Sequence, residues 1–357
     1  MLRIGLLTSG GDCQGLNAAM RGVAKALYEA FDEVEIHGIL DGYRGLIQDR
    51  IRLMKPEDFS GILTLGGTIL GTSRCPFKLM RVIGEDGVDK VEAMKNTIKK
   101  RKLDCLVILG GNGTHKTANL LRAEGVNVVT LPKTIDNDLW GTDMTFGFQS
   151  AVDIAANVID CIHTTATSHG RVFIVEVMGH KVGWLTLHAG IAAGADIVLL
   201  PEIPYDIEKV GSAIERRRKQ GKPFSILAVA EGALSKREAK MSKKELAAAR
   251  QKEGLPSIAY RLVQELEPYV GGESRVCVPG HFQRGGAPCA YDRMLATMLG
   301  AAAARLIREG KYGYMCAIVN NEIVPVPLEE VAGKLKKVPV GCPAVQMARE
   351  IGVSFGD

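Results

Sequence analysis

The sequence predicts an α/β protein built on open, mostly parallel sheets. Three observations carry this. Short apolar runs recur along the chain, and each ends in a glycine or polar cluster. Helix-like segments lie between most of them. Glycine is abundant, at 41 of 357 residues, which suits many tight strand-to-helix turns. Such runs are uniformly apolar because helices cover both faces of a parallel sheet.

The runs, in order, are RIGLLTSGG, LDCLVILGGNG, VNVVTLPKTIDND, RVFIVEVMGH, ADIVLLPE, FSILAVAEG, RVCVPGHFQRGG and YMCAIVNN. Residues 16–30 and 90–100 read as two of the intervening helices. Residues 235–254, rich in Lys and Ala, read as a solvated surface helix. Residues 215–222, ERRRKQGK, read as a basic helix end before a glycine turn, where cations suit the exposed carbonyls, or as a partner or effector site. No solenoid-length repeat or low-complexity linker marks a domain boundary.

Composition narrows the class. Hydrophobic content is 46% and charged content 24%, ordinary for a globular protein with an ample core. A net charge of +5, from 45 basic and 40 acidic residues, is too mild to imply nucleic acid and is compatible with an anionic small substrate. The eight cysteines, Cys13, Cys75, Cys105, Cys161, Cys277, Cys289, Cys316 and Cys342, form no C-x-x-C. They read as reduced core thiols of a cytoplasmic protein. The first apolar run is too short for a signal peptide, and none approaches the ~18 residues of a membrane span.

Ligands of open parallel sheets bind beyond the carboxyl ends of the strands, so the loops there carry the chemistry. After the first run, Gly10 and Gly11 precede a helix near Leu16, which makes either an anion cradle or a plain tight turn. A second such loop, GGNGTHKTANLL, has Gly110, Gly111 and Gly113, with Thr114 opening a helix. The stretch LPKTIDNDLWGTD crowds Asp136, Asp138 and Asp143 into one loop. Beside two phosphate cradles these acids make sense with Mg²⁺, which takes oxygen ligands, and with one carboxylate as proton acceptor. The competing reading is turn and helix-capping acids. Further on, Arg171, Arg275, His281 and Arg284 are cations at strand ends that would suit a phosphomonoester, or ordinary salt bridges. Glu231 would accept bonds from sugar hydroxyls or cap a helix.

Taken together, LTSGGDCQGLNAAMRG, LGTSR, GGNGTHKTA, PKTIDNDLWGTD, VEVMGHKVG, AEG and GHFQRGG occur in the order of the phosphofructokinase family, which this chain resembles from its first residues to about Gly310. The resemblance implies two similar Rossmann-like, three-layer α/β/α domains with the active site in the cleft between them. Residues 1–147 with about 283–333 would form the phosphoryl-donor domain, and about 148–282 with 334–357 the fructose 6-phosphate domain. The implied reaction is Mg²⁺-dependent transfer of the γ-phosphoryl of ATP to the 1-hydroxyl of fructose 6-phosphate. Asp136 would be the general base, Thr134 would position the transferred group, and Asp138 would hold the metal with Asn112. Gly11, Tyr43, Arg74, Cys75, Gly113, Thr114 and Lys133 would line the donor site. Arg171, Met178, Gly179, His180, Glu231, Arg275, His281 and Arg284 would bind the sugar phosphate. Arg171 and Arg275 are expected from a neighbouring subunit of a homo-oligomer.

Departures from the family pattern bear on donor and control. Pyrophosphate users typically carry Asp where this chain has Gly113, which favours ATP; Lys133 is typical of pyrophosphate users. The charge and steric argument at Gly113 sets the expectation of ATP, with pyrophosphate as the alternative. Asn112 replaces a usual Asp, and His180 a common Arg. Arg21 matches an effector-site residue, but His163 and Asp196 depart from Arg and Glu there, so no strong ADP or phosphoenolpyruvate response is expected. A NAD or lipid kinase would lack GHFQRGG, and a non-catalytic sensor would have lost Asp136.

Overall fold

A computed structural model describes residues 1–83 and 87–357. The chain divides into two compact units, Met1–Ser150 with Arg284–Lys336, and Ala151–Gln283 with Lys337–Asp357.

The first unit holds strands β1 (Leu2–Ser9), β2 (Val34–Ile39), β3 (Ile51–Met54), β4 (Cys105–Gly110) and β5 (Val128–Pro132), joined late in the chain by β10 (Tyr314–Val319) and β11 (Glu322–Pro327). Their order across the sheet is β11-β10-β5-β4-β1-β2-β3. The five central strands are parallel, and each edge strand is antiparallel to its neighbour. Helices α1 (Leu16–Ala30), α2 (Tyr43–Ile47), α3 (Lys90–Arg101) and α4 (Asn112–Ala123) belong to this unit, and α5 (Phe148–His169) begins in it. β4 and β5 are buried along their whole length, which explains their uninterrupted apolar sequence. The strands absent from the apolar series are the edge strands and β2. β11 carries Pro325 and Pro327, which an edge strand tolerates because one row of its N–H groups has no ladder to join.

The second unit has strands β6 (Val172–Val177), β7 (Ile197–Leu199), β8 (Ser225–Ala230) and β9 (Ser274–Cys277), all parallel in the order β7-β8-β6-β9. Its helices are α6 (Trp184–Ala192), α7 (Ile207–Lys219), α8 (Lys243–Glu253) and α9 (Ile258–Val270). The helix α10 (Ala290–Arg308) returns to the first unit, where α11 (Leu328–Val331) follows; α12 (Pro343–Glu350) closes the second. α10 packs along α1 at glycine: a Cβ on Gly300 would lie 2.5 Å from the Ala19 carbonyl, and one on Gly22 2.7 Å from that of Thr297.

α8 buries no residue and starts with a Ser242–Glu245 capping box, as a solvated helix should. The turn before it is different. Glu238 is buried and receives Arg250 and the buried Arg261 of α9, so a charged anchor fixes this polar segment to the unit. At the end of α7, Arg217 pairs with Asp196 at 2.8 Å, an internal partner for that basic turn. The cysteines need correcting. Only Cys13, Cys105 and Cys316 are core thiols, and Cys161 is exposed. Cys161 lies on the outer face of α5, a place its apolar neighbours in sequence do not reveal.

Candidate functional site

The first unit gathers its loops at the carboxyl ends of β1, β4 and β5. β1 ends at Ser9, and Gly10 then takes φ 91°, a left-handed conformation that glycine adopts without strain. A Cβ on Gly10 would lie 3.7 Å from both Lys133 Nζ and Thr114 Oγ1. One on Gly11 would lie 3.0 Å from the Arg284 guanidinium and 3.4 Å from that of Arg74. Bare backbone therefore faces Lys133, Arg284 and Arg74. The Lys133 ammonium donates to the Gly11 carbonyl, and Arg284 donates to the Asp12 carbonyl at 3.0 Å while its buried Nε has no hydrogen-bond partner.

β4 runs through Gly110 and Gly111 into α4, which starts at Asn112, two residues before Thr114. Its first turn therefore points N–H groups and the positive end of its dipole outward from Gly113. Gly113 is exposed, and a Cβ there would meet nothing within 4 Å. Tyr43, expected in the donor site, lies beneath this turn. It is 1% exposed, and its hydroxyl donates to the Thr114 carbonyl at 2.9 Å, so it supports the turn from beneath. Cys75 is half-buried, 3.7 Å from the Ser73 hydroxyl, next to the exposed Arg74.

β5 delivers the acidic loop. Lys133 and Thr134 are buried, and Asp136 and Asp138 are half-buried. The Asp136 N–H donates to Thr134 Oγ1 at 3.0 Å. Asn137 takes a left-handed φ of 51°, and its side chain accepts from Thr145 N at 3.1 Å, closing the loop on itself. Burial pushes the Lys133 amine down from the usual lysine range; Arg284 adds to that, while Asp136 and Asp138 oppose it. Asp143 is a different case. Its carboxylate accepts from Asn320 N at 2.7 Å, which is the turn-capping role.

Sequence alone missed Lys336. This half-buried amine donates to Asn137 Oδ1 at 2.9 Å and to the carbonyls of Thr142 and Asp143 at 2.8 and 2.9 Å. Burial lowers its pKa to about 8, opposed by Asp143 and Asp138. One Lys among the three of GKLKK gives no signal of this.

In the second unit, the Glu231 carboxylate accepts from Gly179 N at 3.2 Å and His180 N at 2.6 Å, so it holds the turn after β6. His180 is exposed with a left-handed φ of 53°. Buried Gln283, also missed, accepts from Met178 N at 3.3 Å. Met178, Gly179, His180, Glu231 and Gln283 thus form one cluster at the carboxyl ends of β6 and β8.

Of the cations, Arg171 and Arg275, the two expected to serve a neighbouring copy, lie together. Arg171 immediately precedes β6, and Arg275 lies opposite Phe173 near the start of β9. They are at the amino ends of the strands, where Glu273 bridges both guanidinium groups at 2.8 and 2.7 Å. His281 lies in the short 3-10 turn Gly280–Arg284 that follows the other end of β9. Arg284 is in the first unit, on Gly11. Of the effector-position residues, Asp196 is occupied by Arg217 and by Ile226 N at 2.9 Å, and His163 Nε2 lies 2.7 Å from the Ala193 carbonyl. Arg21 lines a hollow of about 670 Å³ in the first unit with Lys25, Glu29 and Glu57.

Glycine loops, a helix amino end and buried cations gathered at the carboxyl edge of a parallel sheet are what a phosphate-handling α/β enzyme uses. A family model described as Phosphofructokinase matches residues 3–307. An ATP-dependent 6-phosphofructokinase from Spirochaeta thermophila is 56% identical over 99% of this chain and 97% of its own length. One from Propionibacterium freudenreichii is 48% identical over all of both chains. Among solved structures, T-state phosphofructokinase from Pichia pastoris is 34% identical with a TM-score of 0.77; this chain is covered over 92% and spans 35% of that longer one. A pyrophosphate-dependent phosphofructokinase from Nitrosospira multiformis, 19% identical with a TM-score of 0.82 over 99% of this chain and 92% of its own, shares the fold. The chain belongs to the phosphofructokinase family.

Proposed function

We propose that this chain is an ATP-dependent 6-phosphofructokinase. It transfers the γ-phosphoryl of ATP to the 1-hydroxyl of fructose 6-phosphate, giving fructose 1,6-bisphosphate and ADP. The observation that carries the reading is the full-length identity to relatives named for this activity, with Asp136 retained in the loop beside Lys133.

In this mechanism the sugar O1 forms a bond to the γ-phosphorus, and the bond from that phosphorus to the bridging oxygen of ADP breaks. The O1 proton passes to the Asp136 carboxylate. Lys133, Arg284, Arg74, the bare backbone at Gly11 and the α4 amino end hold the donor phosphates and meet the charge that grows on them. Thr134 orients the group in transfer. Gly113 leaves the donor loop free of an acid. In the other unit, Met178, Gly179, His180 and Glu231 take the sugar, with His281 on its phosphate.

The residues fit Mg²⁺. Asn112 Oδ1 is buried without a hydrogen-bond partner while its Nδ2 is bonded to the Lys334 carbonyl. Asp138 supplies a carboxylate. Among the described residues no three His, Cys, Asp or Glu side chains cluster as a metal cage, and this donor set suits an ion shared with substrate phosphates. Bound Mg²⁺ would supply charge neutralisation across the donor phosphates.

Arg171 and Arg275, far from the other sugar-phosphate residues along β6 and β9, are assigned to the site of a neighbouring copy, which makes the working enzyme a homo-oligomer. No described helix is long and apolar enough to cross a membrane, and a cytoplasmic enzyme is the reading adopted. With Asp196 and His163 engaged internally, a strong ADP or phosphoenolpyruvate response is not expected.

The test is an initial-rate assay with Mg²⁺ and fructose 6-phosphate, offering ATP and pyrophosphate in parallel. Turnover with ATP alone is expected. Turnover with pyrophosphate alone would assign donor choice to Lys133 and overturn the reading.

A further inference from the structure

The last stretch of chain in the first unit, residues 334–336, touches both loops that carry the donor chemistry. The Lys334 carbonyl accepts from Asn112 Nδ2 at 2.6 Å, at the α4 amino end. Leu335 forms an antiparallel bridge with buried Leu139. Lys336 N donates to the Asp138 carbonyl at 2.9 Å. The Lys336 ammonium then takes three acceptors inside the acidic loop, Asn137 Oδ1 and the carbonyls of Thr142 and Asp143. An ammonium has three donors, and three acceptors lie within 2.9 Å of this one.

Those acceptors come from both limbs of the loop. Asn137 separates Asp136 from Asp138 and turns the chain between them with a left-handed φ of 51°. Thr142 and Asp143 lie on the returning limb, where Thr142 Oγ1 accepts from Ile318 N at 3.1 Å. Lys336 therefore clamps the limb with the acids to the limb anchored on β10.

We propose that Lys336 is a positioning residue for the phosphoryl-transfer loop, holding Asp136 and Asp138 in working geometry from outside the site. The proposal rests on the functional reading above for the roles of those two acids. Positioning errors of about 1 Å at a reacting centre can lower rates by about 10²-fold, so an indirect role has a large and readable effect.

Trp140 gives a readout of the loop that is independent of turnover. It is in the same loop, 48% exposed, and the chain has one other tryptophan, Trp184. In a Trp184→Phe background, Lys336→Met and Lys336→Gln would be compared with the parent and with Asp136→Ala. The measurements are kcat, KM for fructose 6-phosphate and acrylamide quenching of Trp140, with circular dichroism as the check on folding. Expected for Lys336→Met are a fall in kcat of about 10²-fold, KM for the sugar phosphate within about twofold, and faster quenching of Trp140. Lys336→Gln, which keeps one donor group, should recover part of both losses. Parental kcat and quenching in either folded variant would overturn the proposal. If Lys336→Met fails to fold, Lys336→Gln decides by the same criteria. An active Asp136→Ala would instead remove the general-base reading, while the quenching data would still report whether Lys336 orders the loop.

Discussion

The Lys133 ammonium reaches the Gly11 carbonyl, tying the loop after β5 to the loop after β1 across 122 residues of sequence. Lys133 is 4% exposed and shares its surroundings with Arg284 and the two acids. Its charge is thus fixed in place before any donor arrives. Lys133→Met keeps the stem and removes the charge. Loss of one preorganised donor of this kind costs about 10²–10³-fold in kcat, and an unmet Gly11 carbonyl costs about 1–3 kcal/mol of stability. Steady-state kinetics and a thermal melt would check both. A variant with full kcat would show that Lys133 is only a structural tie.

Gly113 separates charge from bulk as the reason an acid is unfavourable there. Since a Cβ at Gly113 meets nothing within 4 Å, Gly113→Ala should leave KM for ATP near its original value. Gly113→Asp places a carboxylate at the α4 amino end, which suits the helix dipole but opposes donor phosphates. A like charge near 4 Å is worth about 1 kcal/mol or more, so KM for ATP should rise about tenfold. Equal effects from both substitutions would return the argument to sterics.

Much of this was legible in the sequence. The apolar runs gave β1, β4 to β10 and the placement of the glycine loops, because doubly covered parallel strands are uniformly apolar. β2, β3 and β11 were not legible: they are short or polar, and β11 is interrupted by proline. The loop around Asp136 could be found from its crowded acids, but which acids are structural could not. Asp143 caps Asn320, a partner 177 residues away. Lys336 and Gln283 act through such contacts too, and nothing local distinguishes them. Arg275 and His281 are close in sequence, yet Arg275 lies near the start of β9 and His281 in the turn beyond its end.

His115 gives the first unit a pH-dependent stability. It is fully buried, its Nδ1 is 2.9 Å from the Gly111 carbonyl, and burial lowers its pKa from 6.5 to about 4. The unfolded chain therefore binds the extra proton. The contribution is intact above about 6.5 and declines as pH falls towards about 4, reaching a loss of about 2 kcal/mol by about pH 5. Urea midpoints for the parent and His115→Gln at pH 7 and pH 5 would test this. A smaller pH difference in the variant is expected; identical differences would mean that other groups carry the acid sensitivity.

In the second unit, Glu238 and Arg261 are a buried pair, with Arg261 Nη2 donating to Glu238 Oε2 at 2.9 Å. Burial alone would raise the Glu238 pKa, but bonds from Arg261, Arg250 and the Ser235 backbone bring it to about 2. Glu238→Gln leaves the Arg261 charge short of its main partner and should cost about 3 kcal/mol. Denaturant unfolding would read it. The double variant Glu238→Gln, Arg261→Met should recover part of the loss, and a double variant worse than the single would show that the pair is not the source.

The central claim is that Asp136 takes the proton from the sugar hydroxyl. The most direct measurement is the rate of Asp136→Asn with saturating ATP, Mg²⁺ and fructose 6-phosphate, alongside nucleotide binding by calorimetry. General-base removal predicts a fall in kcat of about 10²–10⁴-fold with ATP affinity retained. A kcat within a few-fold of the parent would contradict the account.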